Sequence, residues 1–162
     1  MSEFNNKPHF LLYGANGWIG SQVYNLLVSM GINVEKSKYR ADNFEDVELE
    51  ISSINGLTHV MSFIGRSHGV YEGEVISTID YLEKPGMLTE NIKDNLYGPI
   101  VLSSICKKYG KHFTYLGTGC IFDYDDKHLF GDETTGFKEG DKPNFFGSSY
   151  SIVKGFKNIL IN

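Results

Sequence analysis

The segment Gly14-Ala15-Asn16-Gly17-Trp18-Ile19-Gly20 constrains this chain more than any other, because its three glycines stand directly between two segments of different periodicity. Before it, His9-Phe10-Leu11-Leu12-Tyr13 is a short unbroken apolar run, the pattern of a strand buried on both faces in a parallel sheet. After it, Ile19, Val23, Leu26, Leu27 and Met30 recur every three or four residues, which is one face of a helix, and Gly31 closes it. In such a strand–glycine–helix passage one glycine permits the tight turn. Another lets the backbone approach a pyrophosphate without a Cβ in the way, and another lets helix and strand pack closely. The helix N-terminus then offers free N–H groups and a positive dipole end to the anion.

The alternation continues along the chain. Residues 32–35 read as a second strand, 44–54 as a helix and 59–64 as a third strand. A long helix over 87–109 turns Ile92, Leu96, Ile100, Val101 and Ile105 toward the core and stops at Gly110. Its interior contains Pro99, which has no N–H to give and crowds the carbonyl four residues earlier. The carbonyl of Asn95 is therefore expected to be freed and the helix kinked. Residues 112–116 form another buried strand, a polar, glycine-rich loop runs to Gly147, and a last helix begins near Ser148. This order predicts an α/β fold, a Rossmann-type doubly wound parallel sheet. With 162 residues there is room for one such unit, so residues 1–162 are read as a single NAD(P)-binding domain.

Composition removes other classes. A formal net charge of -5, from 15 basic against 20 acidic side chains with no basic cluster, argues against nucleic acid, whose backbone is bound by displacing counterions with Lys and Arg. No apolar run approaches the roughly 20 residues of a membrane span, and residues 1–8 lack the basic and then apolar order of an export signal. A cytoplasmic location is expected. Cys106 and Cys120 are too few for a disulfide framework and have no metal-ligand spacing. Asp123, Asp125 and Asp126 are followed by His128 where a calcium loop requires glycine, so no metal is expected.

The cofactor is expected to be NADP, with NAD the alternative. Glu35, at the end of the second strand, stands where an acidic side chain would bind the ribose hydroxyl of NAD. Lys36, Lys38 and Arg40 follow at once and suit the 2′-phosphate of NADP. Tyr150 and Lys154, four residues apart at the start of the last helix, project from one face. An ammonium beside a phenol lowers its pKa and lets it act as general acid or base toward a carbonyl oxygen. Thr118 lies just past the carboxyl end of the strand over 112–116, where ligands of open parallel sheets bind, and could donate to the same oxygen. Cys120 reads either as a small buried hydrophobe or as an acid or base at that strand end.

Taken in order, Gly14-x-x-Gly17-x-x-Gly20, Asn95, Leu116-Gly117-Thr118-Gly119-Cys120-Ile121-Phe122 and Tyr150-x-x-x-Lys154 resemble the extended short-chain dehydrogenase/reductases acting on nucleotide sugars. Gly136-Phe137-Lys138-Glu139 and Pro143-Asn144-Phe145 narrow the resemblance to the bifunctional UDP-4-keto-6-deoxyglucose 3,5-epimerase/4-reductases of UDP-L-rhamnose synthesis.

The resemblance implies that Tyr150 gives the proton to the C4 carbonyl oxygen, Lys154 is its pKa partner and ribose contact, and Thr118 is the second donor. It also implies that Cys120 is an acid or base of epimerisation, with NADPH as the hydride source. Asn95 would seat a water in a proton relay. The expected cofactor contacts are Gly14, Asn16, Gly17, Trp18, Ile19, Gly20, Lys36, Lys38, Arg40, Gly65, Asn95, Tyr150 and Lys154. The resemblance further implies sheet strands and a smaller sugar-nucleotide-holding part beyond residue 162, so the sheet is expected to be incomplete at its C-terminal side. An apolar outer face on the last helix would favour a homodimer. Two other readings compete: a dinucleotide-binding protein or regulatory subunit without catalysis, and a reductase or dehydratase of another nucleotide sugar.

Overall fold

The computed structural model describes residues 7–138 and 140–161; Glu139, Asn162 and the first six residues, with the sequence readings made on them, lie outside the described residues. In chain order the elements are β1 (His9–Tyr13), α1 (Trp18–Ser29), β2 (Asn33–Lys36), α2 (Phe44–Ser53), β3 (His59–Ser62), β4 (Gly69–Tyr71), β5 (Glu74–Ile76), α3 (Leu88–Ile92), α4 (Gly98–Lys108), β6 (His112–Tyr115) and α5 (Ser149–Ile161). Four strands form a parallel sheet in the order β2-β1-β3-β6, so the chain reverses direction across the sheet between β1 and β3. The glycine turn follows β1 and therefore sits at that switch point, where open α/β sheets bind ligands. The Rossmann-type parallel sheet expected from the sequence is the fold observed.

One face of the sheet carries the main core. Leu11 and Tyr13 of β1 and Val60 of β3 pack with Val47 and Ile51 of α2 and with Val101, Leu102, Ile105 and Cys106 of α4. The opposite face is covered more thinly. Leu12 is fully buried, but in α1 only Gly20 is buried, while Ile19, Leu26 and Met30 of its apolar stripe are exposed. The 3.6-residue period located the helix correctly without deciding how much of the stripe is used. α5 likewise carries Phe156, Ile159 and Leu160 exposed on its outer side.

Two features were not read from the sequence. β4 and β5 form a short antiparallel hairpin whose turn, Glu72-Gly73, has positive φ at both residues, as a type I′ hairpin turn demands. Gly69 is required there, because a Cβ would lie 2.5 Å from the ring of Tyr81. The helix over 87–109 is also not one α-helix with a simple kink. A single π-helical turn, Lys93–Tyr97, separates α3 from α4, and the N–H of Gly98 reaches back to the carbonyl of Lys93. The extra residue in that turn accommodates Pro99, and it places the consecutive residues Asp94 and Asn95 both among buried surroundings.

Candidate functional site

The glycine turn is shaped by backbone meeting backbone. Gly14 has φ +75°, and a Cβ there would lie 2.8 Å from the carbonyl carbon of Phe63. A Cβ on Gly20 would lie 2.2 Å from the carbonyl oxygen of Gly14. Gly17 donates its N–H to that same oxygen at 3.1 Å and caps α1, which begins without a side-chain cap and without an acidic residue in its first turn. The N–H groups of that turn and the positive end of the helix dipole are thus left to an outside anion. Asn16, Trp18 and Ile19 are exposed beside it. This geometry fits a dinucleotide pyrophosphate.

The end of β2 sorts the charged residues expected at the adenosine end. Glu35 turns to His9, whose Nε2 lies 2.9 Å from its carboxylate, and so faces away from the glycine turn. Lys36 turns toward it, donating to Asn16 Oδ1 at 3.3 Å with its ammonium 4.5 Å from the centre of the Tyr24 ring. Lys38 is exposed, and its backbone N–H is held by Glu50. Arg40 is committed to carboxylates: Asp42 at 2.9 Å and Asp94 at 2.9 Å. A cleft of about 570 Å³ is lined by Lys38, Tyr39, Arg40, Asn43 and Tyr97 beyond the strand.

Glu50 was not singled out from the sequence, yet it organises this loop. Its buried carboxylate accepts from the hydroxyls of Tyr13 and Ser37 and from the N–H of Lys38. Burial, with Glu50 as its partner, holds the Tyr13 phenol far above its ordinary pKa, so it remains a donor. The signal was present: Glu50 falls with Val47 and Ile51 on the buried stripe of α2.

The second cluster lies at the ends of β3 and β6. Asn95 is 0% exposed and clips the loop after β3, its amide donating to the carbonyl of Arg66 at 2.9 Å and its oxygen accepting the Arg66 N–H at 3.0 Å. The same amide donates to Asn91, which donates to Ser149. Glu83 then accepts from the hydroxyl and N–H of Ser149 and the N–H of Tyr150, placing a carboxylate at the positive end of α5. This chain of bonds aims Tyr150. Asn95→Ala is expected to cost about 3 kcal/mol, because it leaves buried polar groups of Arg66 and Asn91 unmatched; urea denaturation would measure it.

Tyr150 and Lys154 are both buried on one face of α5. Gly65 adjoins them: a Cβ on it would stand 3.5 Å from Lys154 Nζ and 3.8 Å from Asn95 Oδ1. Burial raises the Tyr150 phenol above its usual range, a hydrogen bond with Thr118 pulls it down, and Cys120 pushes it up again. The Lys154 ammonium, expected from the sequence to be the phenol's pKa partner, lies 5.8 Å from the centre of the Tyr150 ring. It donates instead to the hydroxyl of Tyr115, and burial holds Lys154 itself down to about 8. Cys120 is exposed, its N–H donating to Thr118 Oγ1 at 3.2 Å. The fold therefore brings Thr118, Tyr150, Lys154, Gly65 and Asn95 together and places Lys36 with the glycine turn, while Arg40 is tied to its own carboxylates.

No family model matches the chain. A UDP-rhamnose synthase from Acanthamoeba polyphaga mimivirus, known as a crystal structure, is 54% identical with a TM-score of 0.83, covering 94% of this chain and 50% of that one. The chain is homologous to that synthase. It is also 36% identical to a trifunctional UDP-glucose 4,6-dehydratase/UDP-4-keto-6-deoxy-D-glucose 3,5-epimerase/UDP-4-keto-L-rhamnose-reductase of Arabidopsis thaliana, over 94% of this chain and 21% of the plant protein. A dTDP-4-dehydrorhamnose reductase from Bacillus anthracis, solved in complex with NADP, shares the fold with a TM-score of 0.72 at 17% identity, over 94% of this chain and 48% of that one. The chain thus spans about half the length of the synthase and a fifth of the plant enzyme. No helix among the described residues is long and apolar enough to cross a membrane.

Proposed function

We propose that residues 1–162 form one NAD(P)-binding domain, and that the chain carries the proton-transfer residues of a UDP-4-keto-6-deoxyglucose 3,5-epimerase/4-reductase. The observation that carries this reading is the placement of the glycine turn and of the Thr118–Tyr150–Lys154 group at the carboxyl ends of strands in one sheet. Homology to a UDP-rhamnose synthase supports the substrate class. The dinucleotide would be held by Gly14, Gly17 and Gly20 with the first turn of α1, and by Gly65 and Lys154 near the ribose of the nicotinamide. When bound, NADPH supplies the hydride delivered to C4.

The chain's own groups do the rest. A phenol kept protonated by burial is ready to donate to the C4 carbonyl oxygen, with Thr118 as the second donor. In epimerisation the same two donors would stabilise an enolate, and the accessible thiol of Cys120 would exchange the proton at the neighbouring carbon. Preference for NADPH over NADH is supported by Lys36 facing the turn while Glu35 faces His9. Lys36→Met is expected to weaken NADPH about tenfold and NADH by much less, as calorimetric titration would record.

The decisive experiment has two arms. Titrating the chain with NADPH tests the dinucleotide site, and absence of binding by a folded sample would end this reading. Adding UDP-4-keto-6-deoxyglucose and following NADPH absorbance tests the chemistry. Binding without turnover would leave a dinucleotide-binding protein, and turnover only with another keto sugar nucleotide would reassign the substrate.

A further inference from the structure

Two buried lysines converge on one aromatic ring behind the candidate proton donor. Lys154 and Lys157, nearly one turn apart on α5, are 4% and 5% exposed. Both ammonium groups meet Tyr115 of β6. Lys154 Nζ donates to its hydroxyl at 2.5 Å, and Lys157 Nζ lies 3.6 Å from the ring centre. Lys154 Nζ is also 5.8 Å from the centre of the Tyr150 ring.

A buried ammonium is costly unless it is paired or given oxygen or aromatic partners. Among the described residues neither lysine forms an ion pair. The carboxylates on the neighbouring elements are engaged elsewhere: Glu83 with the first turn of α5, Asp94 with Arg40 and Arg66, and Glu90 with Arg66. Asn91 and Asn95, from the helix packed on α5, and Thr118 bring no charge, and Cys120 is exposed. Tyr115 is therefore the group that holds both cations. Lys157 also lines a cleft of about 750 Å³ with Tyr115, Thr118, Phe122 and Lys138, which gives it a route for proton exchange with solvent.

We propose that Tyr115 and Lys157 are positioning residues for Lys154: the Tyr115 hydroxyl fixes the ammonium beside Tyr150 and Gly65, and the Lys157 charge on the same ring readies that ammonium to release its proton. The importance of this for catalysis rests on reading Lys154 as the partner of Tyr150; the arrangement of the three side chains does not. Burial first, and the neighbouring Lys157 charge second, hold Lys154 down to about 8. A hydrogen bond from the charged form to the phenol oxygen acts in the opposite sense.

The test is a pH titration of the full chain carrying ¹³C at the lysine ε-carbons, followed by NMR, with the Lys154 signal assigned by its absence from Lys154→Arg. In the unaltered chain its midpoint is expected near 8. Lys157→Met is expected to move that midpoint up by about one unit. Tyr115→Phe keeps the ring and loses the oxygen, so it is expected to move the midpoint down. Lys157→Arg keeps the charge and should keep the midpoint low. An unmoved midpoint in Lys157→Met, or an upward shift in Tyr115→Phe, overturns the proposal.

Should Lys157→Met not fold, the unaltered chain still decides: the Lys157 signal must respond at the midpoint of Lys154, as coupled sites do, and independent curves refute the arrangement. No dinucleotide or sugar enters these measurements. Failure of NADPH binding and failure of this inference are therefore separate results.

Discussion

Gly20→Ala is expected to cost about 3 kcal/mol of folding stability and to abolish dinucleotide binding, while Gly17→Ala leaves stability nearly unchanged and still weakens the cofactor. The contrast follows from what each new methyl would meet. At Gly20 a Cβ would stand 2.2 Å from the carbonyl oxygen of Gly14, 2.9 Å from its carbonyl carbon and 3.0 Å from Ala15 Cα. All three are backbone atoms of the turn itself, so no side chain can swing aside and the turn must open. At Gly17 the nearest atom would be 3.4 Å away, and φ is -73°, which any residue adopts. The stability change there should fall within about 0.5 kcal/mol. A methyl at Gly17 nevertheless projects where the backbone is otherwise bare for an anion, so NADPH affinity should drop about tenfold or more. Urea denaturation and calorimetric titration of both variants separate the two roles. Equal stability losses, or unchanged NADPH affinity in Gly17→Ala, would contradict the assignment of fold to one glycine and binding to the other.

The same turn shows how far the sequence could be read. Its place between a buried strand and an amphipathic helix needs only local rules, and β1, α1, α2 and β6 lie where periodicity puts them. What local rules miss is set by contacts distant in sequence. Arg40 reads as a free cation beside Lys36 and Lys38, but Asp94, 54 residues later, claims it once the π-helical turn forms. Glu35 reads as a ribose ligand until His9 takes its carboxylate. Proline signalled the break in the long helix but not its form, because a kink and a π-helical turn both relieve the missing N–H. Tyr150 and Lys154 were legible as a pair from their spacing. That the ammonium is held by Tyr115 depends on where β6 lies against α5, which no spacing reveals.

That last contact shapes what Tyr150→Phe and a pH series should show. Removing the phenol hydroxyl takes away the proposed proton donor and its hydrogen bond with Thr118, while the ring stays in its apolar cluster with Tyr81 and Leu82. In the proposed reduction of UDP-4-keto-6-deoxyglucose, the rate is expected to fall about a thousandfold, with NADPH affinity changed less than about threefold. A comparable loss of NADPH affinity would show instead that Tyr150 builds the cofactor site. The pH dependence has a definite sign. Because burial raises the Tyr150 phenol, it stays protonated through neutral and mildly alkaline pH, and rising pH in that range does not remove the donor. Lys154, held down to about 8, loses its charge there first. The rate of reduction should therefore decline as pH rises through about 8, where a free lysine would stay charged for more than two further units. In Lys157→Met the decline should move to higher pH, because the repelling charge is gone. A decline that stays fixed in that variant, or one that tracks the phenol rather than the ammonium, would separate Tyr150 from Lys154 as the group that limits proton delivery.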